Sequence, residues 1–293
     1  MTLEEKAGMC SGKDNWHLKS VERLGIPEVM VSDGPHGLRK QEDKTDHLGL
    51  NGSKRAVCFP AACASACSFD RGLLQELGEA IGEECQAEDV SIVLGPAVNI
   101  KRSPLCGRNF EYFSEDPIVC GKMASAIVQG AQSQNLTVTV KHLVLNEQEK
   151  NRWGILTWAD EQTIREIYLK PFEIAIKEGG AKGVMSAYSR LGKTWCGGND
   201  VLLKDLLRTE WGYSDYVISD FSVHGLYGSY MNPLQATYAQ NDANLTGIYA
   251  VQFLSIKKAM KQEYKENPAA FGTAMRACVR AIIHMKTASS AFS

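Results

Sequence analysis

The 293-residue chain is 44% hydrophobic and carries 32 Lys and Arg against 34 Asp and Glu, a formal net charge of −2 with the signs interspersed. That composition is of a folded globular protein and excludes a disordered chain. It also excludes the basic stripe of a nucleic-acid binder and the polybasic segment of a membrane-surface protein, which leaves small, neutral partners.

The chain opens "MTLEEKAGMC", where Thr2 and Glu5 have the spacing of a capping box rather than of a basic and then apolar leader. With no run of about 18 apolar residues, the expectation is a cytoplasmic protein without a membrane partner. "EVMVS" runs into Asp33-Gly34-Pro35, the first of several short apolar runs that end on polar or glycine-rich residues. Next comes "CFPAACASACSFD", whose Cys58, Cys63 and Cys67 lack the paired spacing and nearby histidines of a zinc site and read as core residues. Nine scattered cysteines argue for reduced thiols rather than a disulfide framework. His36, His47 and His224 have no metal-ligand spacing either, so neither metal nor cofactor is expected. Asn51, Asn135 and Asn244 open N-x-S/T triplets, which matter only in a secreted protein.

"FDRGLLQELGEAIGEECQAE" places Leu73, Leu74, Leu77, Ile81 and Cys85 on one helical face behind a cap at Asp70. "SIVLG" then leads to Asn99, "TVTV" to Lys141-His142, "GVMSA" to Tyr188 and "YVIS" to Asp220. Between them, "DEQTIREIYLKPFEIAIKEGG" begins at an acidic cap, Asp160, and stops at Gly179-Gly180, with Pro171 dividing it into two pieces. The strand runs are mostly separated by roughly 30 to 50 residues, one βα unit each. They lack alternation, as strands buried on both faces do. The last stretch predicts a helix through about Lys286 and a small-residue tail.

A (β/α)8 TIM-type barrel, imperfect and forming a single domain over residues 1–293, fits this order. An open doubly wound sheet fits less well, because no G-x-G-x-x-G turn follows an early strand. In a barrel the residues at the C-terminal strand ends share one pocket. Asp33, Asn99, Lys141, His142, Tyr188 and Asp220 would then face a small, hydroxyl-rich ligand.

Six motifs, "SDGPHGLR", "GRNFEYFSEDP", "KHLVLNEQEKNR", "REIYLKPFE", "VMSAYSRLGKTWCGGN" and "LLRTEWGYSDYVISDF", stand in one order over roughly residues 1 to 225. In order and spacing they resemble the catalytic barrel of glycoside hydrolase family 3, in its bacterial β-glucosidase branch. The resemblance implies a retaining hydrolase acting on a terminal β-D-glucosyl or related β-glycosyl residue of a small glucoside or oligosaccharide. Asp220 falls on the family's nucleophile. Asp33, Arg108, Lys141, His142, Arg152 and Tyr188 fall on residues that hold the sugar, with Lys141 and the arginines lowering the Asp220 pKa. Read alone, Arg108 and Arg152 would pair with Glu111, Glu115 or Glu149, and Glu115 and Asp116 would brace a loop.

Three departures limit what is implied. Phe221 stands where the family has tryptophan, which changes a wall toward the leaving group. "AQNDANLTG", 239–247, keeps Asp242 of "AGLDLEMP" but not its Met-Pro. The family's acid/base glutamate lies on a following α/β-sandwich domain, expected to be missing from this chain, and the Asp-His loop of "KHFPGHG" relatives is replaced. Activity is then expected to be weak unless a second domain or a homo-oligomer completes the site. A sugar-binding pseudoenzyme is the alternative, and a barrel aldolase using Lys141 as Schiff base is a weaker one.

Overall fold

The computed structural model describes residues 1–42, 51–221, 230–246 and 250–292. Five strands coincide with the five apolar runs: β2 (Val29–Asp33), β3 (Ile92–Ala97), β4 (Thr137–Leu143), β6 (Gly183–Ser186) and β9 (Tyr216–Ser219). They lie side by side in chain order and all pair in parallel. A short β1 (His17–Leu18) adds antiparallel to β2. Among the described residues the main sheet therefore has six strands, five of them parallel, curled as half a barrel, where eight parallel strands were expected. Beyond β9 the chain returns as an isolated parallel bridge, Ile218 to Ala243. Asn244 N then donates to Cys10 O at 2.9 Å, which ties that segment to helix α1 (Leu3–Ser11) rather than to another strand.

β3 and β4 are buried at every position, so both sheet faces must be covered. On one face Val93, Val138, Val140, Val184 and Val217 share a core with Leu74, Ile81, Ala124, Phe172 and Ala175. Those partners come from α3 (Arg71–Ala87), α4 (Pro117–Ser133) and α6 (Lys170–Lys177). The alternate residues, Val31, Ile92, Leu94, Met185 and Ile218, pack in a second core with α1, α8 (Ala250–Glu266) and α9 (Pro268–Thr287) through Met9, Ile256, Met260, Phe271 and Met275. The two-residue repeat thus sorts β3, β6 and β9 into two cores, whereas β4 turns its valines to the first and alternates them with Thr137 and Thr139.

Helix starts follow their caps. Asp70 accepts from Gly72 N and Leu73 N, Asp116 from Ile118 N and Val119 N, and Thr2 with Glu5 closes the capping box. Asp116 is thus a helix cap as well as part of the "SEDP" loop. Asp160 opens the short α5 (Glu161–Thr163), which passes through a π turn at Ile164–Tyr168 into α6, so the helix divides just before Pro171. On α3, Leu74, Ile81 and Cys85 are buried, but Leu73 is 50% exposed: the apolar stripe is narrower than the residue count implied. Cys58 and Cys67 are exposed and Cys63 half-buried, which corrects their reading as core. They lie on a run, 58–67, that includes the short α2 (Ala62–Ser65), of which Ala62 and Ser65 are the buried residues. Asn244, one of the N-x-T sites, is buried. No helix among the described residues is long and apolar enough to cross a membrane.

Candidate active site

Parallel pairing puts the C-terminal ends of five strands on one edge, and the register sets them level. Ala97 lies opposite Lys141, Leu143 opposite Ser186, and Ser186 opposite Ser219, the residue before Asp220. Asp33 ends β2, and the chain must then turn sharply. Gly34 and Gly37 have φ of +153° and +127°, and a Cβ on Gly37 would meet Val57 O at 2.0 Å, so "DGPHG" is a turn only glycine can close. His36 in this turn accepts from Ala62 N through Nε2 at 3.0 Å. Burial holds it below its usual pKa, so it braces the turn as a neutral ring.

Lys141, 4% exposed, donates to Asp33 Oδ1 at 2.8 Å and stands 3.4 Å from Glu111 Oε1. Burial alone would lower its pKa, but Asp33 and Glu111 raise it above the usual value, so it is charged. Burial likewise pushes Asp33 up, and Lys141 with Arg39 and Arg108 brings it below the usual value. Arg39 Nη1 stands 3.7 Å from Asp33 Oδ2. Arg108 grips Glu111 with two hydrogen bonds, at 2.7 and 2.8 Å, and extends Nη2 to His142 Nε2 at 3.1 Å. The pairing with Glu111 and the position beside His142 therefore coexist, because a guanidinium has donors on two edges.

Asp220 is 7% exposed, and its Oδ1 accepts from Phe221 N at 2.8 Å. Oδ2 faces His142 Nε2 at 3.8 Å. This is no ion pair: burial, Arg108, Lys141 and Arg152 hold His142 far below its usual pKa. The cations do lower the Asp220 pKa as expected, but they do not decide its net direction. Burial raises it, Arg108, Arg152 and Lys141 offset only part, and the net direction is upward. Desolvation acts at contact while the charges act over a longer distance.

An aromatic side completes the site. Arg152 pairs with Glu149 at 2.8 Å, and its guanidinium carbon lies 4.8 Å from the Tyr188 ring centre and 5.8 Å from that of Trp153. Tyr188 O accepts from Tyr230 Oη at 3.0 Å, and Arg190 covers the Tyr230 ring at 4.0 Å. Phe221 meets Trp16 edge-on, 5.2 Å between centroids. Sequence reading named Arg108, Arg152, Tyr188 and Phe221 but not Tyr230, Arg190 or Trp16. Tyr230 and Trp16 come from remote segments and have no local motif, whereas Arg190 stands two residues after Tyr188 in "VMSAYSRLGKTWCGGN" and only its partner ring is remote. Glu111 was read only as an ion-pair partner; the i, i+3 spacing from Arg108 was its signal. Asp242 stands apart, buried and bonded to Arg208 and Val217 N, both at 2.7 Å. His47 and His224 lie outside the described residues. No group of three or more metal-ligating side chains occurs among the described residues.

Four carboxylates, Asp33, Glu111, Glu149 and Asp220, thus face four cations, Arg39, Lys141, Arg108 and Arg152. Asp33 remains a quarter exposed at its side chain, with oxygen lone pairs free for hydroxyl donors.

Residues 15–243 match the model of the glycosyl hydrolase family 3 N terminal domain. Among curated proteins, thermostable beta-glucosidase B of Acetivibrio thermocellus is 53% identical over 221 residues, which are 75% of this chain and 29% of that protein. An exo-alpha-(1->6)-L-arabinopyranosidase of Bifidobacterium longum is 42% identical over 233 residues, 79% of this chain and 31% of that protein. Among solved structures, beta-glucosidase 3B from Thermotoga neapolitana in complex with alpha-D-glucose superposes with a TM-score of 0.89 at 36% identity. It covers 100% of this chain with 42% of its own. The chain spans about 30% of the length of the curated relatives it matches. With a family model matched over most of its length, the chain belongs to glycosyl hydrolase family 3.

Proposed function

We propose that this chain carries the sugar-binding and nucleophilic half of a retaining β-glucosidase, built on a βα barrel that closes imperfectly. The observation that carries this reading is the strand-end cluster. A buried carboxylate with no cation in hydrogen-bond contact among the described residues, Asp220, stands beside a charge-balanced set of donors and acceptors from β2, β4 and the 108–111 loop. A balanced set suits a neutral, hydroxyl-rich ligand, because neither an anion nor a cation would be favoured over water there. Asp33 would accept sugar hydroxyls, Lys141, His142 and Arg108 would donate to or accept from others, and Arg152 on Tyr188 would form a flat wall. Relatives named beta-glucosidase, and one solved with glucose, support the substrate class.

Asp220 attacks the anomeric carbon as a carboxylate, the C1–O bond breaks, and water later releases the sugar from the ester. The proton for the leaving oxygen is proposed to come from the part of the polypeptide by which the relatives exceed the matched span. The raised Asp220 pKa fits a nucleophile whose desolvation ends when it becomes a neutral ester. The test is intact-mass measurement with a 2-fluoro aryl β-glucoside, whose activated leaving group needs no proton. The expected result is one fluoroglycosyl adduct that maps to Asp220 and is missing in Asp220→Asn. Sugar binding without any adduct would replace this reading with that of a binding pseudoenzyme.

A further inference from the structure

Asn99, just beyond β3 and fully buried, holds His142 from three sides. Its Oδ1 accepts from His142 N at 2.9 Å and its Nδ2 donates to His142 O at 3.0 Å. The same Oδ1 meets His142 Nδ1 at 3.3 Å, while Arg108 Nη2 stands 3.1 Å from Nε2. A guanidinium only donates, so Nε2 carries the lone pair and Nδ1 the proton, which Asn99 Oδ1 is placed to accept. Behind Asn99 lies Glu147, 2% exposed. Its Oε1 is 3.3 Å from Ile100 N and 3.4 Å from Asn99 Nδ2, and Oε2 has no partner among the described residues. Burial pushes its carboxyl up to about 7, against the pull of Ile100 N, Arg102 and Asn99. An oxygen left alone in a dry site favours the protonated acid.

The consequence reaches Asp220. With the other tautomer, or with an imidazolium, Nε2–H would point at Asp220 Oδ2, 3.8 Å away, and would set a proton against Arg108. A nucleophile so bonded would be weakened and the guanidinium displaced. We propose that Asn99 and Glu147 are a positioning pair that locks His142 as its neutral Nδ1–H tautomer, keeping the Nε2 lone pair toward Arg108 and leaving the outer oxygen of Asp220 free. For its catalytic consequence this rests on the β-glucosidase reading; the tautomer itself does not.

The charged groups around the ring are Arg108, Lys141, Arg152 and Asp220. Around Glu147 the charged group is Arg102, and the titratable neighbours are the thiols of Cys120 and Cys196, which burial keeps protonated. The experiment uses the chain labelled with 15N-histidine and long-range 1H–15N correlation from pH 5.5 to 8.5, the His142 signal being identified by its loss in His142→Gln. The expected wild-type pattern is a neutral ring protonated at Nδ1 throughout. Asn99→Asp, which puts a carboxylate at Nδ1 and removes the donor to His142 O, should bring imidazolium into the lower half of that range. Asn99→Leu should give mixed tautomers. Glu147→Leu should resemble Asn99→Leu, whereas Glu147→Gln, which preserves the acceptor for Asn99, should restore the wild-type pattern. On an aryl β-glucoside, Asn99→Asp should lose kcat/KM most at low pH and recover as His142 loses its proton.

An unchanged Nδ1–H pattern in folded Asn99→Leu and Asn99→Asp overturns the positioning pair, whatever the turnover. If neither Asn99 variant folds, Glu147→Leu matching Glu147→Gln overturns it instead. Altered tautomers in a chain that forms no 2-fluoro adduct would uphold the pair and sink the glycosidase reading.

Discussion

Strand β2 has a buried lysine at each end, held in opposite ways. Lys286 reaches from α9 to the N-terminal end, donating to Lys19 O and Pro27 O at 2.7 Å each. Burial drives it down to about 8, with only Glu28 acting against that. Lys141 stands at the C-terminal end between two carboxylates, which outweigh burial and hold it above its usual pKa. Carbonyls satisfy an ammonium's hydrogen bonds without balancing its charge, so the first lysine closes a joint between α9 and the sheet. Carboxylates balance the charge and keep lone pairs to spare, so the second end can still receive a ligand. One end of the strand serves the fold, and the other is the end that the proposed function uses.

The largest effect should come where that contrast is sharpest. Asp220→Asn is expected to lower turnover of an activated aryl glucoside on the order of 10⁴-fold or more. Its thermal midpoint should stay level or rise, since a buried, upward-shifted carboxylate costs stability. A large loss of stability would place Asp220 with the structural end instead. Lys141→Met should leave Asp33 with only the more distant Arg39 and Arg108 and Glu111 with only Arg108, and cost up to about 3 kcal/mol in urea unfolding, together with loss of glucose binding.

Lys286→Met tests the other end through pH. The folded pKa of about 8 lies below the ordinary lysine value of 10.5, so between these the unfolded chain binds more protons and wild-type stability gains as pH rises. Burial holds the core thiols and phenols above this range while those of the unfolded chain ionise within it, so they too change stability with pH and the quantity to follow is wild type minus variant. It should climb by about 3 kcal/mol from pH 8 to 10.5, read by urea titration, and a flat difference would mean Lys286 is not desolvated as described. Lys141 has the opposite sign: its share is present below 10.5 and is lost only as pH passes its raised value.

Smaller still, the acid limb of kcat/KM should lie above that of an ordinary aspartate, because in the proposed mechanism Asp220 attacks in its ionised form. Arg152→Gln should move that limb further up by removing one offsetting charge. Phe221→Trp should change preference among aryl leaving groups by only a few-fold, on the order of the 0.5–1.5 kcal/mol of an aromatic contact, without touching the adduct yield.

The five parallel strands, their order, the caps at Thr2, Asp70 and Asp160 and the break before Pro171 were legible in the sequence. Each is set by residues within one or two turns of one another, where side-chain size, β-branching and a short polar acceptor act locally. The strand-end residues Asp33, Lys141, His142, Tyr188 and Asp220 were legible too, because parallel pairing turns "last residue of an apolar run" into a shared edge. What tertiary structure alone decided is how those side chains divide their bonds. Arg108 serves Glu111 and His142 together, Asn99 selects a tautomer, Tyr230 arrives from a remote segment to meet Tyr188 and Arg190, and burial overrides three cations at Asp220. Desolvation and multi-partner hydrogen bonding depend on everything packed around a group, and no single stretch of sequence contains that environment.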